Sequence, residues 1–478
     1  MRKRTTGTSN QDFSQGSVLD ALVRMAVPMS LALLINILYS VVDRIYIGHI
    51  PEVGRLSLTG IGLISPIVTI IVAFQNLFGV GGSPLFSIAR GEGNKEEASR
   101  ILHNACFMLL INSILLTMVV LLTSKKLLYL IGASDATFPY ASSYLKIYIL
   151  GTVFVLFSLG LNPYINAQGD AKVGMLTVLI GAVVNLILDP IFIFGLHMGV
   201  RGAAIATVVA QFCSAMWVFL YFRSNRSPCR LSLRMLKPDI RIIGRIASLG
   251  VTEFVFQLTN SIVLLLYNVK LLALGGDIYV TAMTVIYSIR EITNVIMFGI
   301  VGASKPIIGF NYGARCYDRV KQGITYMTVL NLIYLTFIWT LVMLFPGFFI
   351  QLFNSDTQLL EIGRTCVRIF FLFSFFGALQ VSSQSVFVSL GRAKHALFFS
   401  LLRKVFLIIP LTLILPYLFQ LGARGVFLAE PLSELIGGSA CFITMRRTVW
   451  KELGTLEKQK TKWGSKVDSA RSVSGTES

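Results

Sequence analysis

The sequence predicts an all-α integral membrane protein with twelve transmembrane helices, arranged in two pseudo-symmetric six-helix lobes. Three observations support this fold class. Of the 478 residues, 54% are hydrophobic and 14% are charged, whereas a soluble domain carries about 25% charged residues. The apolar residues form twelve runs, each sufficient for the ~20 helical residues that cross a bilayer. Finally, the second half of the chain repeats motifs of the first half in the same order.

The twelve apolar runs are separated by short polar or basic loops. Several runs exceed the length that the hydrocarbon requires, which indicates tilted helices or helices that extend beyond it. The predicted spans are residues 18–48, 58–88, 100–123, 138–164, 171–196, 200–222, 242–272, 280–308, 322–345, 359–389, 396–419 and 423–446.

The loop charges predict the orientation of these spans. Lys and Arg concentrate in alternate loops, most densely in residues 223–245 between the sixth and seventh spans. An excess of Lys and Arg marks the cytoplasmic side, so both termini are predicted to be cytoplasmic. The net charge of +19 is spread over many loops, which does not favour a nucleic-acid partner.

These features divide the chain into five predicted segments. The lobes are named N-lobe and C-lobe after their order in the chain. The segments are a cytoplasmic tail (1–17), the N-lobe (18–222), a basic cytoplasmic linker (223–241), the C-lobe (242–446) and a disordered cytoplasmic tail (447–478).

An internal repeat relates the two lobes. Because six spans separate equivalent motifs, both lobes have the same orientation, and parallel repeats in a transporter place the substrate pathway between them. The recurring motifs keep a nearly constant separation along the chain: 78–79 pairs with 298–299, 93–95 with 313–315, 169–172 with 391–394, and 199–203 with 422–426.

The first span contains two residues that a plain membrane anchor would lack. Pro28 removes a backbone donor and permits a local bend. Asp43 lies about fifteen residues further on. An ionised Asp costs roughly 2.5–3.5 kcal/mol at the centre of a membrane and usually marks an ion or proton pathway. The alternative is an interfacial Asp43 that pairs with Arg44.

Partners for Asp43 are predicted from the fifth and sixth spans. Asn185 and Asp189 are four residues apart and share a helix face, and Thr207 follows the turn into the sixth span. All are expected at the depth of Asp43. Their oxygens suit Na⁺, and two neighbouring carboxylates can also share a proton. The alternative is that Asn185 and Thr207 only join helices and Asp189 caps a helix end.

Aromatic, amide and Met side chains of other spans are candidates for lining a cavity. Such side chains suit promiscuous recognition of a cationic amphipathic molecule. Arg290 and the adjacent Glu291 are predicted to form an internal ion pair. The candidate cavity residues are Phe74, Gln75, Asn76, Gln257, Asn260, Tyr267, Tyr287 and Met297.

Several other functions lack support in the sequence. The glycines of residues 78–84 lie within a span and are not followed by Lys-Ser or Lys-Thr, so they do not form a phosphate-binding loop. No nucleophile or metal constellation indicates an enzyme, and the six cysteines include no close pair. A lipid-linked oligosaccharide flippase stays open as the alternative; it would be expected to have a more cationic central cavity.

The chain resembles the multidrug and toxic compound extrusion (MATE) family, in particular its DinF-like and MepA-like prokaryotic branch. The resemblance covers roughly residues 15 to 447. It rests on Pro28 with VVDRIYIG, on LFGVGGSPLFSIARGEGN, on NAQGDAK, and on NLILDPIFIFG followed by GVRGAAIAT. It implies two lobes around a V-shaped cavity in the inner membrane of a prokaryote. It also implies export of cations in exchange for Na⁺ or H⁺, with no other cofactor and as a monomer.

The resemblance also assigns roles to individual residues. The family's cation site corresponds to Asp43, Asn185, Asp189 and Thr207, with the carbonyl of Ala203 as a further ligand.

Three further positions follow from the same resemblance. Tyr144 and Asn162 match positions of the fourth span that line the cavity in some members, although MepA-like sequences tend to have an acid where this chain has Asn162. Glu253 resembles the acid that the NorM-like branch uses in its own C-lobe ion site. The acidic partner expected from the tenth span is absent from the sequence.

Overall fold

The computed structural model describes residues 12–232, 237–353 and 356–460. Within these ranges every regular element is helical. The predicted tail residues 1–11 and 461–478, and residues 233–236 of the predicted linker, lie outside the described residues.

The first half forms seven α-helices. Ser17 caps the first of them by accepting a hydrogen bond from the Asp20 amide, which satisfies one of the free amides at a helix start. The sixth helix continues into a π-helical turn, Ile191–Gly195. The helices are α1 (Val18–Gly48), α2 (Gly54–Gly91), α3 (Lys95–Ile131), α4 (Phe138–Leu150), α5 (Thr152–Ala167), α6 (Ala171–Pro190) and α7 (Gly199–Arg223).

The second half follows the same order with more interruptions. A π-helical segment, Leu402–Ile408, joins α14 to α15, and a second one, Arg446–Trp450, follows α16. The helices are α8 (Ile240–Gly275), α9 (Asp277–Gly313), α10 (Tyr317–Leu344), α11 (Pro346–Gln351), α12 (Thr357–Phe370), α13 (Phe375–Ser389), α14 (Ala393–Leu401), α15 (Ile409–Ile414) and α16 (Ala423–Met445).

Two of the predicted spans are bent rather than straight. The helices α4 and α5 meet at 57°, and α12 and α13 meet at 46°. Ten further helices of the described chain are long and apolar enough to cross a membrane, and each bent pair adds one span. The prediction of an all-helical membrane protein with twelve spans is therefore confirmed.

The prediction of a disordered C-terminal tail is wrong for its first part. Residues 447–460 are helical and continue from α16. Arg392 bonds Glu452 at 2.5 Å, Lys321 pairs with Glu457, and Leu453 is buried. These contacts fix the segment although its composition is polar.

The outer surface is apolar where a bilayer would cover it. On α3, Ile114, Met118 and Leu122 are 58%, 57% and 79% exposed. Their spacing of four residues places them on one helix face. A contiguous exposed apolar face of this kind marks contact with a membrane.

The beginnings of α1 and α8 pack across the predicted lobe boundary. Val18, Leu22 and Met25 of α1 belong to a core formed mainly by C-lobe residues. Reciprocally, Ile242 and Ile246 of α8 belong to the N-lobe core. Each lobe therefore holds the first turns of the other lobe's first helix, while Asp43, near the end of α1, lies among N-lobe helices.

The lobes touch closely at the end of the bundle that carries the linker and both described chain ends, here called the linker end. Lys460 bonds the carbonyl of Arg315, and Arg319 bonds the carbonyl of Phe13, so the first and last described residues lie there. A Cβ on Gly91 would overlap the carbonyl of Phe310, and a Cβ on Gly313 would overlap that of Ile88. The helices α2 and α9 therefore cross in backbone contact.

Candidate functional site

The polar residues predicted in the N-lobe meet at the end of the bundle opposite the linker. Asn185 donates a hydrogen bond from Nδ2 to Asp189 Oδ1 at 3.1 Å, and lies 3.5 Å from Thr207 Oγ1. Thr207 donates to the carbonyl of Ala203 at 3.0 Å. The carboxyl groups of Asp43 and Asp189 are close enough to interact. Asp43, Asn185, Asp189 and Thr207 are called the acid site below.

Each carboxyl group of the acid site has at least one buried oxygen without a donor among the described residues. Asp43 Oδ1 and Asp189 Oδ2 are buried, and no described residue donates a hydrogen bond to either. Asp189 is only 1% exposed. Two buried anions of like charge repel each other, and burial penalises both. A proton shared between the carboxyl groups, or a cation held by them, would relieve both costs.

The acid site opens into a large cavity. Asp43 and Thr207 line a space of about 560 Å³, together with Tyr39, Tyr144 and Tyr148. Tyr144 is 6% exposed and stacks on Tyr148 with ring centroids 5.9 Å apart. The structure thus brings Tyr144 to the acid site, and the phenol rings offer faces to which a cation is attracted.

Other predicted cavity residues lie elsewhere. Asn162 donates to the carbonyl of Gly174 at 2.8 Å and accepts from Asn166, so it joins α5 to α6. Phe74 makes an edge contact with Phe254 of α8.

The remaining amides do not join the acid site either. Gln75 is 7% exposed within α2, and Asn76, Gln257 and Asn260 are half-buried. None of these four lines the 560 Å³ cavity.

Glu253 has a basic partner that sequence reasoning missed. Lys305 Nζ lies 3.0 Å from Glu253 Oε1, and both side chains are partly buried. The structure therefore places Glu253 in an ion pair between α8 and α9.

The predicted pair between Arg290 and Glu291 is wrong. Glu291 is exposed, whereas Arg290 Nη1 bonds Glu430 Oε1 at 2.8 Å and Nη2 lies 3.8 Å from Glu434 Oε1. Adjacent helical residues point in different directions, so the partners of Arg290 come from a distant span. Tyr267 also belongs here, since its hydroxyl donates to Glu430 Oε2 at 2.9 Å.

The structure reveals a buried cluster of five charged residues in the C-lobe. Arg403 Nη2 bonds Glu430 Oε1 at 2.8 Å, and Lys404 Nζ lies 3.7 Å from the same oxygen. Arg290, Arg403, Lys404, Glu430 and Glu434 are called the C-lobe charge cluster below. The sequence carries a signal for it, because ionisable residues within apolar spans mark functional or paired sites. Glu430 and Glu434 are four residues apart within the twelfth span.

Twelve spans, a polar site within them and the cavity beside it define a multi-pass membrane transport protein. The model of the family described as MatE matches residues 28–191 and 253–414. The chain belongs to the MATE family, whose members are transporters and not enzymes.

Curated relatives carry a consistent name. The chain is 24% identical over 424 residues to "Multidrug export protein MepA" of Staphylococcus haemolyticus, covering 89% of this chain and 92% of the relative. The protein of that name from Staphylococcus aureus (strain NCTC 8325) is 24% identical over 441 residues, covering 92% and 95%.

Solved structures share the fold. One is the outward-facing conformation of a multidrug resistance MATE family transporter, with a TM-score of 0.86 at 22% identity. Another is a MATE in the bent conformation, with a TM-score of 0.87 at 23% identity. Each match covers 95% of this chain and 100% of the other chain.

Proposed function

We propose that this protein is a secondary active antiporter that exports organic cations across the cytoplasmic membrane of a prokaryote in exchange for H⁺ or Na⁺. The acid site carries the proposal. Two buried carboxyl groups with free oxygens interact with each other, and one of them, Asp43, lines a cavity of about 560 Å³ with phenolic walls. The same cavity can therefore admit a coupling cation and an amphipathic cationic substrate, and the two would compete for negative charge.

The coupling ion in this proposal is H⁺, with Na⁺ as a competitor for the same oxygens. Carboxylate, amide, hydroxyl and carbonyl oxygens converge at the acid site and give Na⁺ suitable ligands. A cavity wide enough for a drug does not enforce a dehydrated Na⁺ cage, whereas two adjacent carboxyl groups hold a proton without one.

Transport in this proposal proceeds by alternating access of the two lobes, with both termini cytoplasmic and the protein a monomer. The contact of α2 with α9 at the linker end supports a state closed towards the cytoplasm. Opening would separate Gly91 from Phe310 and Gly313 from Ile88. The cavity of about 560 Å³ beside Asp43, at the opposite end, would then close.

The test is efflux of a fluorescent lipophilic cation from proteoliposomes under an imposed pH or Na⁺ gradient. Either gradient should drive efflux by the wild type, and Asp43→Asn should abolish it while the protein stays folded. Asp20→Asn is the control, because Asp20 is an exposed acid on the same helix, paired with Arg24. Wild-type rates in folded Asp43→Asn would overturn the proposal. A lipid-linked oligosaccharide flippase, the alternative, predicts no gradient-driven cation efflux at all.

A further inference from the structure

The C-lobe charge cluster contains one more cation than anion. Arg290, Arg403 and Lys404 face two carboxylates, Glu430 and Glu434. Arg290 is 18% exposed, and the other four side chains of the cluster are buried still more deeply. An unbalanced charge in such surroundings is unfavourable unless a counter-charge is supplied. One additional negative charge would therefore balance the three basic and two acidic side chains of the cluster.

The single negative charge of Glu430 is already shared by Arg290 and Arg403, so it does not neutralise a further cation. Its Oε1 accepts a hydrogen bond from Arg403 at 2.8 Å and lies 2.8 Å from Arg290 Nη1 in an ion pair, and its Oε2 accepts from Tyr267. Lys404 Nζ is 3.7 Å from Oε1, and no described residue accepts a hydrogen bond from it. Glu430 is thus fully engaged.

Glu434 is held loosely. Its Oε1 lies 3.8 Å from Arg290 and 3.7 Å from Arg403, beyond the range of a normal hydrogen bond. Arg403 Nε is buried, and no acceptor for it is found in the described part of the chain. The two guanidinium groups therefore retain donors that Glu434 does not satisfy.

A cavity lies directly against these donors. Its volume is about 50 Å³, which is enough for several water molecules at ~10–15 Å³ each. Arg290, Arg403, Asn294 and Glu434 line one part of it, and aromatic and aliphatic side chains line the rest. Trp339 also lines it, and its buried Nε1 finds no acceptor among the described residues. Indole and guanidinium N–H groups are pure donors, which suits an anion.

The internal repeat shows that this chemistry is particular to the C-lobe. In the register that relates Gly199 to Gly422, Glu430 corresponds to Thr207 and Glu434 to Gln211. In the register that relates Gly169 to Gly391, Arg403 corresponds to Gly181. Gly181, Thr207 and Gln211 line a small N-lobe cavity. The three matching C-lobe residues are charged, and two of them, Arg403 and Glu434, line the C-lobe cavity.

We propose that the C-lobe cavity binds a monovalent anion, either a halide ion or the carboxylate of an amphipathic molecule, on the N–H groups of Arg290, Arg403 and Trp339. The bound anion balances the surplus cation of the C-lobe charge cluster. This site is separate from the acid site, and its occupation does not depend on which cation the protein exports.

Trp339 provides a local probe of this binding. Replacing the other three tryptophans of the chain (Trp217, Trp450 and Trp463) with Phe leaves Trp339 as the fluorophore. The purified full chain in nanodiscs is titrated with bromide, which quenches indole, at constant ionic strength maintained with sulfate. The proposal predicts quenching that saturates. Quenching that stays linear in bromide would indicate collision alone and overturn it.

Two variants are expected to change bromide affinity in opposite directions, so that loss of folding cannot account for both results. Arg403→Gln removes a donor and a positive charge, so bromide should bind about tenfold or more weakly. Glu434→Gln removes the opposing carboxylate, so bromide should bind more tightly, which a misfolded protein would not do. If Arg403→Gln does not fold, Glu434→Gln decides alone. Unchanged or weaker binding in Glu434→Gln would contradict the proposal.

Competition separates the two sources of the anion. Chloride that displaces bromide at comparable concentration identifies a halide site. Benzoate that displaces bromide at much lower concentration than chloride identifies a site for the carboxylate of an amphipathic molecule. If neither anion displaces bromide, the cavity is not an anion site.

Discussion

The acid site of the N-lobe and the C-lobe charge cluster occupy related places in the two halves of the repeat, yet their charges are opposite. The acid site has two carboxyl groups and no cation bonded to either among the described residues. The C-lobe charge cluster has three basic side chains, and its Glu430 accepts two hydrogen bonds and forms an ion pair with Arg290. Thr207 and Glu430 occupy equivalent positions of the repeat, so a neutral hydroxyl in the acid site corresponds to a carboxylate in the C-lobe charge cluster.

The two sites therefore differ in what their carboxyl oxygens can do: those of the acid site can bind an ion, whereas those of Glu430 hold helices together. The carboxyl oxygens of Asp43 and Asp189 without donors are available to an ion from the adjacent cavity. The oxygens of Glu430 are taken, and they tie α16 to α8, α9 and the segment that follows α14. We therefore expect changes in the N-lobe site to alter transport and changes at Glu430 to alter stability.

The largest expected effect is on stability, from Glu430→Gln. Breaking a buried ion pair by removing one partner costs about 3–5 kcal/mol, and here two guanidinium groups lose their shared carboxylate. Glu434→Gln is the matched control in the same helix, because Glu434 makes no hydrogen bond as short as those of Glu430. Thermal unfolding in detergent measures both. Equal melting temperatures for the two variants would contradict the claim that Glu430 stabilises the C-lobe more than Glu434 does.

The next effect is on transport, from Asp189→Asn. The amide keeps the shape of the carboxyl group but cannot take up a proton, so gradient-driven efflux should fall at least about tenfold, as is typical when a transferring group is lost. Melting should change far less than in Glu430→Gln, since Asn185 alone among the described residues donates a hydrogen bond to Asp189. A large loss of stability with normal transport in the folded fraction would reverse the assignment of the two lobes.

Much of the fold could be predicted from hydropathy and the repeat, because lipid demands long apolar helices whatever the tertiary contacts. The bends between α4 and α5 and between α12 and α13 were not predicted, since no proline stands at either break. The proximity of Asp43, Asn185, Asp189 and Thr207 could be predicted because their depth could be estimated from helical rise.

The C-lobe charge cluster could not be predicted from the sequence. Its members come from α9, the segment Leu402–Ile408 and α16, and nothing local indicates that they meet. Sequence reasoning paired Arg290 with its neighbour Glu291, whereas the true partner, Glu430, lies in the last of the spans. Lys305, the partner of Glu253, was missed for the same reason.

A smaller effect is expected where the lobes meet at the linker end. A Cβ on Gly313 would overlap the backbone of Ile88, whereas a Cβ on Gly244, near the start of α8, would meet no atom within 4 Å. Gly313→Val should therefore destabilise the state closed at the linker end by about 1–3 kcal/mol. Accessibility of an introduced cysteine at the linker end should rise in Gly313→Val and not in Gly244→Val. Equal labelling would show that this contact does not hold the lobes together.

The smallest effect is expected from Pro28→Ala. Pro28 lies within the continuous helix α1, between the turns packed in the C-lobe core and Asp43. Restoring the missing donor stiffens the helix, so turnover should slow by more than cation binding weakens. Initial efflux rates and equilibrium binding, measured on one preparation, separate the two. Unchanged turnover would make Pro28 a tolerated kink only.

The most direct test of a shared cation site is the pH dependence of efflux at increasing external Na⁺. If H⁺ and Na⁺ compete for the oxygens of Asp43 and Asp189, Na⁺ should move the wild-type profile towards lower pH, because more protons are then needed for the same occupancy. Asp189→Asn should show no such movement in its residual transport. A wild-type profile that stays in place at saturating Na⁺ would contradict the account.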